Sequence, residues 1–434
     1  MVWVATALIA LVTLNVGCSQ APEQAQNVSP MVQQKNSPGE ANAADVVTRA
    51  KAIHDRVLVL DAHADIVPPD TTSRYGDVDG SSKVAPAKLV EGGVDAVVMA
   101  VAVGSGPRTP AGDAAARAVA DAELAAVLSI VAAADGLVLA RSADELVQAH
   151  RNGDAAYMLG FQNARILQGN VAALDEFHAA GVRVFALTHL GHNDFADSSR
   201  PVFNSASGGY EPTSEHGGLS ALGKAAITRI NALGGVVDVS QLSAQATLQA
   251  VALSQTPVIA SHSNVKALSD VTRNLTDQEI DHIGGAGGVI HVAAFTAYLL
   301  DLSDAALIAE IKKIRRDARI DEQYTYPYEL YWEIKNADEQ DAFLNRMRNL
   351  LGPATIDRMI DHIDYLVERI GIKHVGISTD FNHGGGIQGF NNASEALNVT
   401  IGLLKRGYTE QDIEKIWGGN FIRVLREAEA FAEG

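Results

Sequence analysis

Cysteine and positive charge are both scarce in this sequence of 434 residues. Cys18 is the single cysteine, so the chain can form no intrachain disulfide and no thiolate cluster for zinc. Lysine and arginine number 34 against 52 acidic residues, which gives a formal net charge of -18. Nucleic-acid binding requires a basic surface, and this balance argues against such a partner. With 47% hydrophobic and 20% charged residues, the composition is typical of a soluble globular enzyme.

The N-terminal region also lacks basic residues, because no lysine or arginine precedes Lys35. Residues 2–16 form an apolar run of signal-peptide length, which is short for a membrane span. The following Gly-Cys-Ser resembles the cleavage site of a bacterial lipoprotein, where Cys18 would be lipidated, although Asn15 stands where leucine is usual. An ordinary secretory signal with an incidental cysteine is the alternative. In both cases we expect residues 1–18 to direct the chain out of the cytosol. It would then be lipid-anchored on the periplasmic side of a bacterial membrane, or free in the periplasm.

Residues 19–45 are rich in Gln, Asn, Ser, Pro and Ala and contain few apolar residues to bury, so they predict a flexible linker. From residue 46 to 434, strand-like runs alternate with helix-like stretches, as in repeated β-α units. Eight strands are predicted, at 57–60, 96–102, 155–160, 183–188, 235–239, 257–260, 289–293 and 375–378.

Eight alternating units predict an α/β fold of the (β/α)8 type, a TIM barrel whose active site lies at the C-terminal ends of the strands. An open, doubly wound sheet would have similar spacing but would concentrate its site at one crevice. Polar residues at the ends of many strands favour the barrel. The polar segment 316–353 exceeds an ordinary connection and predicts a helical insertion over one rim.

Metal-binding side chains close the first predicted strand. His63 and Asp65 are two residues apart, and in an extended chain such residues point the same way, so both can bind one ion. Other apolar runs also end in polar residues, namely Gln162, His189, Gln241, His262 and Asp380. In a barrel these side chains would meet at one end.

Six segments of the sequence carry a resemblance to a known family, in this order: DAHAD, LTH with NDFADS, GLSALG leading to VDVSQLS, PVIASHS, TRNLTD and GISTDF. They are similar to the signature segments of the membrane (renal) dipeptidase family. This family belongs to the metal-dependent amidohydrolase superfamily, and the resemblance runs from residue 57 to 381. It implies a TIM barrel with two zinc ions that hydrolyses dipeptides, often those with a D-residue at the C-terminal position. It also implies that the chain is a homodimer, as family members often are.

The resemblance assigns roles to individual positions. Its first metal would be bound by His63, Asp65 and Asp380. Gln162 occupies the position of a glutamate that bridges both metals, and Gln241 and His262 occupy those of two histidines on the second metal. His189 would polarise the scissile carbonyl or stabilise the tetrahedral intermediate. Arg273 would bind the substrate carboxylate.

Two of the six ligand positions therefore depart from the family pattern. A neutral amide oxygen is a weak zinc ligand compared with carboxylate or imidazole, and both replacements weaken the second metal position. We therefore expect one zinc ion rather than two, with Gln162 as a weak ligand and His262 as a possible one. Gln162 and Gln241 could instead hydrogen-bond the substrate or be relics of a lost site.

We expect a metal-dependent hydrolase of amide bonds in dipeptides or N-acyl amino acids, in which Asp380 is the general base and His262 orients the attacking water. One alternative is a non-catalytic, ligand-binding lipoprotein. Another is a single-metal amidohydrolase that acts on a different amide or on a lactone. His192, His216 and His383 lie in predicted loops and are interpreted as solvated, although any of them could replace a missing ligand.

Overall fold

The computed structural model describes residues 43–69, 71–204 and 207–433. Its eleven strands are β1 Leu60–Asp65, β2 Ala96–Ala102, β3 Leu137–Ala140, β4 Ala155–Gln162, β5 Val182–Ala186, β6 Phe203–Asn204, β7 Gly209–Tyr210, β8 Val236–Asp238, β9 Ile259–Ala260, β10 Val289–Ala293 and β11 Val375–Ser378. The predicted signal peptide, and the predicted linker up to residue 42, lie outside the described residues.

Fifteen α-helices lie within the described ranges: α1 Ala43–His54, α2 Pro86–Gly92, α3 Pro110–Ala133, α4 Ala143–Asn152, α5 Leu174–Ala180, α6 Ala221–Ala232, α7 Ala244–Leu253, α8 Asp277–Gly285, α9 Thr296–Leu299, α10 Ala305–Asp317, α11 Ala337–Leu351, α12 Ile356–Ile370, α13 Leu397–Arg406, α14 Glu410–Glu414 and α15 Asn420–Glu433. None of them combines the length and the apolar character that crossing a bilayer requires. The first of them begins at Ala43, within the last three residues of the predicted linker.

Eight parallel strands form the barrel in the order β1-β2-β4-β5-β8-β9-β10-β11. The first and last strands also meet, because the Asp65 amide donates to the Phe381 carbonyl at 2.9 Å and the Asp380 amide donates to the His63 carbonyl at 3.0 Å. Strand contacts therefore continue around the ring. The predicted TIM barrel is confirmed, and the open doubly wound sheet is excluded.

The barrel strands are buried on both faces, as parallel strands covered by helices are. In β2 the sequence AVVMAVA is apolar throughout and was predicted with its observed bounds. In β1 the prediction of 57–60 was wrong, since the strand is Leu60–Asp65. Asp and Ala have low strand propensity, but pairing with β2 and β11 overrides that preference. His63 and Asp65 thus lie within the strand.

Two smaller strand features were not predicted. Strand β3 pairs with the first half of β4, and β5 pairs with the second half. Strands β6 and β7 form a short antiparallel pair within the connection between β5 and α6. These elements have four residues or only two, which is too short for a periodic signal.

A helical subdomain lies between β10 and α12. Helices α10 and α11 pack against each other around their own apolar cluster, which contains Ile311, Ile314, Phe343 and Met347. The connection between these helices carries several tyrosines that face the barrel mouth. The segment from 305 to 351 therefore forms one wall of the chamber described below.

Candidate active site

Three metal-type side chains converge at the C-terminal end of the barrel. His63 lies in β1, His262 follows β9, and Asp380 follows β11. Their ligand atoms all lie within 4.8 Å of one another, and all three residues are buried. Asp65 completes the group, with its Oδ1 3.5 Å from His63 Nε2. Residues that are 317 positions apart in the sequence are thus brought together by barrel closure.

Backbone strain accompanies two of these positions. Asp380 has φ +56° and Gln241 has φ +64°, which is the left-handed region that non-glycine residues rarely adopt. Such conformations persist where the surrounding structure holds them, often at functional sites. At Asp380, the amide donates to the His63 carbonyl and the carbonyl accepts from Gly385 N at 3.0 Å. These bonds fix the direction of the carboxylate.

A chain of hydrogen bonds sets the tautomer of His262. Ser261 Oγ donates to Asp238 Oδ2 at 2.5 Å, and the same oxygen is 2.7 Å from His262 Nδ1. Because the Ser261 hydroxyl donates its proton to Asp238, Ser261 Oγ accepts a hydrogen bond from His262 Nδ1–H. His262 Nε2 therefore carries no proton, and its lone pair faces the site. Burial, together with the nearby His63 and Arg273, holds the pKa of His262 well below its usual value. The imidazole is therefore neutral.

Both glutamines face that same nitrogen. Gln162 Nε2 is 3.3 Å and Gln241 Nε2 is 3.2 Å from His262 Nε2. The two amides occupy the ring nitrogen that would otherwise serve a second metal. Neither amide supplies negative charge, so this half of the site is a neutral hydrogen-bonded cluster rather than a dication cradle.

His383 belongs to the site, and 37% of its side chain is exposed, which agrees with the interpretation of this residue as solvated. Its Nδ1 lies 2.6 Å from Asp65 Oδ2, and its ring stacks on Tyr75. Burial acts to lower its pKa, but the charge and hydrogen bond of Asp65 outweigh this and raise it to about 9. His383 thus orients one carboxylate oxygen of Asp65 and leaves the other facing His63. In the sequence, only the nearby Asp380 pointed to a role for His383 in the site.

The first metal position has the donors that an ion requires. His63 Nε2 and Asp65 Oδ1 are buried and, apart from their 3.5 Å approach to each other, have no hydrogen-bond partner among the described residues. Unpaired buried polar atoms are costly, so a missing partner is implied. Two ligands of one tetrahedral zinc lie about 3.4 Å apart. The separation of these two atoms is 3.5 Å, and Asp380 Oδ1 is 4.0 Å from His63 Nε2. These residues fit one metal ion.

His189 and Arg273 lie near these ligands. His189 lines the open chamber beside the site, and its Nδ1 is buried without a partner in the described part of the chain. Burial, with His383 and two arginines nearby, holds its pKa well below the usual value. The Arg273 guanidinium is buried, donates to the His262 carbonyl and lies over the Tyr298 ring, 4.2 Å from Cζ to the centroid. Its Nε and Nη2 have no described partner.

Two other loop histidines have structural roles, so the solvated interpretation was wrong for them. His192 is 2% exposed, accepts from the Ser198 amide through Nδ1, and contacts the Pro212 carbonyl through Nε2 at 2.7 Å. His216 Nε2 lies 2.7 Å from the Asn193 carbonyl. These contacts occupy ring nitrogens that a metal would need, so neither residue replaces a missing ligand.

A chamber of about 850 Å³ lies beside the site, although none of the four ligand residues lines it. This volume is near the upper end of the range for small-molecule pockets. Its walls carry His189 and His383 from the site and seven aromatic side chains: Tyr75, Phe295, Tyr298, Tyr326, Tyr328, Tyr331 and Trp332. Four cations also line it, against one acid, Asp341. The chamber is thus aromatic and cationic in a chain whose net charge is -18.

Comparison with solved structures gives the same fold. The probable dipeptidase PvdM from Pseudomonas aeruginosa superposes with a TM-score of 0.78 and 34% identity, covering 90% of this chain and 100% of that one. A metallo peptidase from Rhodobacter sphaeroides, solved with a phosphinate mimic of the dipeptide L-Ala-D-Ala, has a TM-score of 0.65. It covers 86% of this chain and 99% of its own. At 20% identity, this second likeness shows the fold alone.

Sequence comparison leads to the same family. Dipeptidase tcpJ of Claviceps purpurea is 29% identical over 305 residues, covering 69% of this chain and 57% of the fungal one. Dipeptidase aclJ of Aspergillus oryzae is 28% identical, over 65% of this chain and 54% of its own. The chain thus spans little more than half the length of these curated relatives. The family model described as membrane dipeptidase, peptidase family M19, matches residues 47–434. The chain therefore belongs to the membrane dipeptidase family.

Proposed function

We propose that this protein is a metal-dependent hydrolase of amide bonds in dipeptides or N-acyl amino acids, with one zinc ion held by His63, Asp65 and Asp380. The observation that carries this is the pair of unpartnered, buried donors His63 Nε2 and Asp65 Oδ1, 3.5 Å apart and beside Asp380. The dipeptidase names of its relatives agree with this activity. Zinc bound there would supply Lewis acidity, which lowers the pKa of water toward 7 and polarises a carbonyl.

The chain's own residues divide the remaining work. Asp380 is positioned to take a proton from the attacking water and pass it to the leaving amine. The neutral His262 aims that water when the water replaces one of the two glutamine amides at its Nε2 lone pair. The neutral His189 donates a hydrogen bond to the carbonyl oxygen as negative charge develops there. Arg273 binds the substrate carboxylate through the N–H groups that lack a partner.

The decisive experiment measures metal content and turnover on one preparation. Purified full-length protein is loaded with zinc, dialysed and analysed for metal, then assayed with L,L-dipeptides, L,D-dipeptides and N-acyl amino acids. We expect one zinc per chain and hydrolysis of at least one class. Two tightly bound zinc ions would contradict the one-metal site, and a metal-loaded protein inert toward the whole panel would contradict the hydrolase.

A second candidate is a ligand-binding module without catalysis, favoured by the neutral Gln162, Gln241 and His262 cluster. It predicts a protein that binds dipeptides without turning them over, with zinc, cobalt or manganese added. The same panel distinguishes the two candidates, since calorimetric binding without product would support the module.

We also propose that Cys18 anchors the protein through lipid on the periplasmic side of a bacterial membrane. The support is the apolar run 2–16 followed by Gly-Cys-Ser. Radiolabelled palmitate should be incorporated into the wild-type chain and not into Cys18→Ser. Label in both or in neither would contradict lipidation at this residue. The homodimer implied by the family resemblance stays a prediction.

A further inference from the structure

Arg200 is a second buried guanidinium beside the site, and the proposed mechanism does not use it. It lies in the connection between β5 and α6, is 5% exposed and lines the chamber. Its Cζ is 4.3 Å from the centroid of the Tyr326 ring, and the guanidinium also donates a hydrogen bond to the Tyr326 hydroxyl. Its Nε has no partner within the described ranges. Arg200 also forms no ion pair with a described carboxylate. The acidic residue in its surroundings is Glu329, whose carboxylate oxygens lie more than 4.0 Å from the guanidinium nitrogens. The Glu329 carboxylate instead accepts hydrogen bonds from Thr325 and Tyr210.

The same protein shows how it satisfies a buried arginine that has a structural role. Arg315, in α10, is fully buried without a carboxylate, but it donates to the carbonyls of Asp321, Gln323, Pro327 and Glu329. Among the residues that the structure describes, no such set of carbonyls surrounds Arg200. An unpaired buried charge costs several kcal/mol, so an anion supplied from outside is the partner that the geometry lacks.

Arg200 and Arg273 occupy separate positions. Each guanidinium lies over its own tyrosine, Arg273 over Tyr298 and Arg200 over Tyr326, and these two rings are 6.5 Å apart. The charges of both arginines help to lower the pKa of His189, which lines the same chamber as Arg200.

The rest of the chamber has the same charge. Arg74, Lys83 and Arg348 also line it, and none of them forms an ion pair with a carboxylate of the described residues. Lys83 is buried and donates to the Gly385 carbonyl and to Asn391. The chamber therefore offers positive charge to a ligand, in a molecule whose overall charge repels anions.

We infer that the chamber selects substrates with two anionic groups, in which Arg273 takes the terminal carboxylate and Arg200, stacked on Tyr326, takes a second carboxylate from a side chain or acyl group. This inference rests on the proposed function for the first carboxylate. The substrate class is acidic dipeptides and N-acyl amino acids that carry a second acid, within about 850 Å³ of space.

The test compares pairs that differ only in charge: Ala-D-Glu with Ala-D-Gln, and Glu-D-Ala with Gln-D-Ala. The full-length zinc-loaded protein should favour the acid by at least 10-fold in kcat/KM in one pair. Arg200→Met should reduce that preference to less than 3-fold. Arg346→Met is the matched control, since Arg346 is an exposed arginine of the same helical subdomain, paired with Asp317, and its removal should leave the preference intact.

Three outcomes of this comparison would overturn the inference. Equal rates on both pairs in the wild-type protein would do so, as would a preference that persists in Arg200→Met. An equal loss on acidic and neutral members would place Arg200 on the terminal carboxylate with Arg273. If no dipeptide is hydrolysed, the proposed function fails, and calorimetric affinities for the same pairs still decide the role of Arg200. If Arg200→Met does not fold, Arg200→Lys keeps the charge and should retain part of the preference while losing the bidentate contact.

Discussion

At the residue scale, some residues of the site can be predicted from the sequence and others cannot. His63, Asp65, His262 and Asp380 were predictable because each stands at or near the end of a barrel strand, where catalytic residues collect. The partners that hold them were not. Ser261 orients His262, and this contact depends on side-chain direction rather than on any motif. Pairing between His383 and Asp65 arises only when the barrel closes.

Asp380 is the residue on which the proposed chemistry depends most. In Asp380→Asn the amide neither accepts the water proton nor binds zinc as strongly, so kcat/KM should fall by about 10³-fold or more. Circular dichroism should be unchanged, because asparagine fits the left-handed backbone at this position. The control is Asp301→Asn, an exposed carboxylate outside the site, which should keep full activity. Unchanged turnover in Asp380→Asn would exclude this residue as the base.

We expect Gln162 and Gln241 to determine the number of metal ions that the site binds. In the double variant Gln162→Glu with Gln241→His, the carboxylate and imidazole of the family pattern return beside His262. Metal analysis should then show two zinc ions per chain instead of one, because a charged bridging ligand and a strong imidazole ligand replace two neutral amides. The single variant Gln241→His should still bind close to one zinc ion per chain. A double variant that still binds one ion would show that other features exclude the second.

At the element scale, strands β2, β10 and β11 were predicted at their observed bounds, although they differ in length. Helix α12 occupies Ile356–Ile370, where IDRMIDHIDYLVERI has strong helical periodicity, and Gly371 ends it. Strand β1 was displaced because His and Asp replace the usual β-branched residues. The helical insertion was expected from its length alone, but the tyrosines that it directs at the chamber depend on how α10 and α11 pack.

The buried His362 should make helix α12 sensitive to acid. Its Nδ1 accepts from the Val265 amide at 3.1 Å, and burial, with Arg358 nearby, lowers its pKa to about 3. Between this value and the unfolded value of 6.5, the unfolded chain binds a proton that the folded chain does not. Stability from this residue is therefore present above pH 6.5 and is lost as pH falls, by about 2 kcal/mol at pH 5.

Thermal unfolding at pH 7.5 and pH 5 measures this effect. His362→Gln can keep the acceptor for Val265 but does not titrate, so its Tm should fall by about 2–3 °C less than the wild-type Tm over this interval. Replacement of the exposed His282 by Gln is the control and should show the wild-type loss. Equal losses in all three proteins would mean that His362 is accessible to protons in the folded state.

At the scale of the whole molecule, the metal position coincides with the seam of the barrel. His63 and Asp65 come from the first strand, and Asp380 directly follows the last one. Asp61 also joins these strands, since its carboxylate accepts from the Thr379 amide at 3.0 Å and from the Thr379 hydroxyl. The fold could be predicted because the alternation of eight units survives local errors. The closure geometry could not, because it depends on pairing between residues more than 300 positions apart.

Metal binding should therefore stabilise the entire barrel rather than one loop. An ion that binds only the folded chain adds about 2.7 kcal/mol when its free concentration is 100 times Kd. For a domain of this length, such an increment should raise Tm by about 3 °C. We expect zinc to raise the Tm of the chelator-treated protein by this amount in a single transition, because its ligands link the two strands at which the barrel closes. In His63→Ala, which removes one ligand from β1, zinc should leave Tm unchanged. A Tm increase of equal size in His63→Ala would place the stabilising ion elsewhere. A separate transition at lower temperature that alone responds to zinc would show that the ion stabilises a local segment rather than the closure of the barrel.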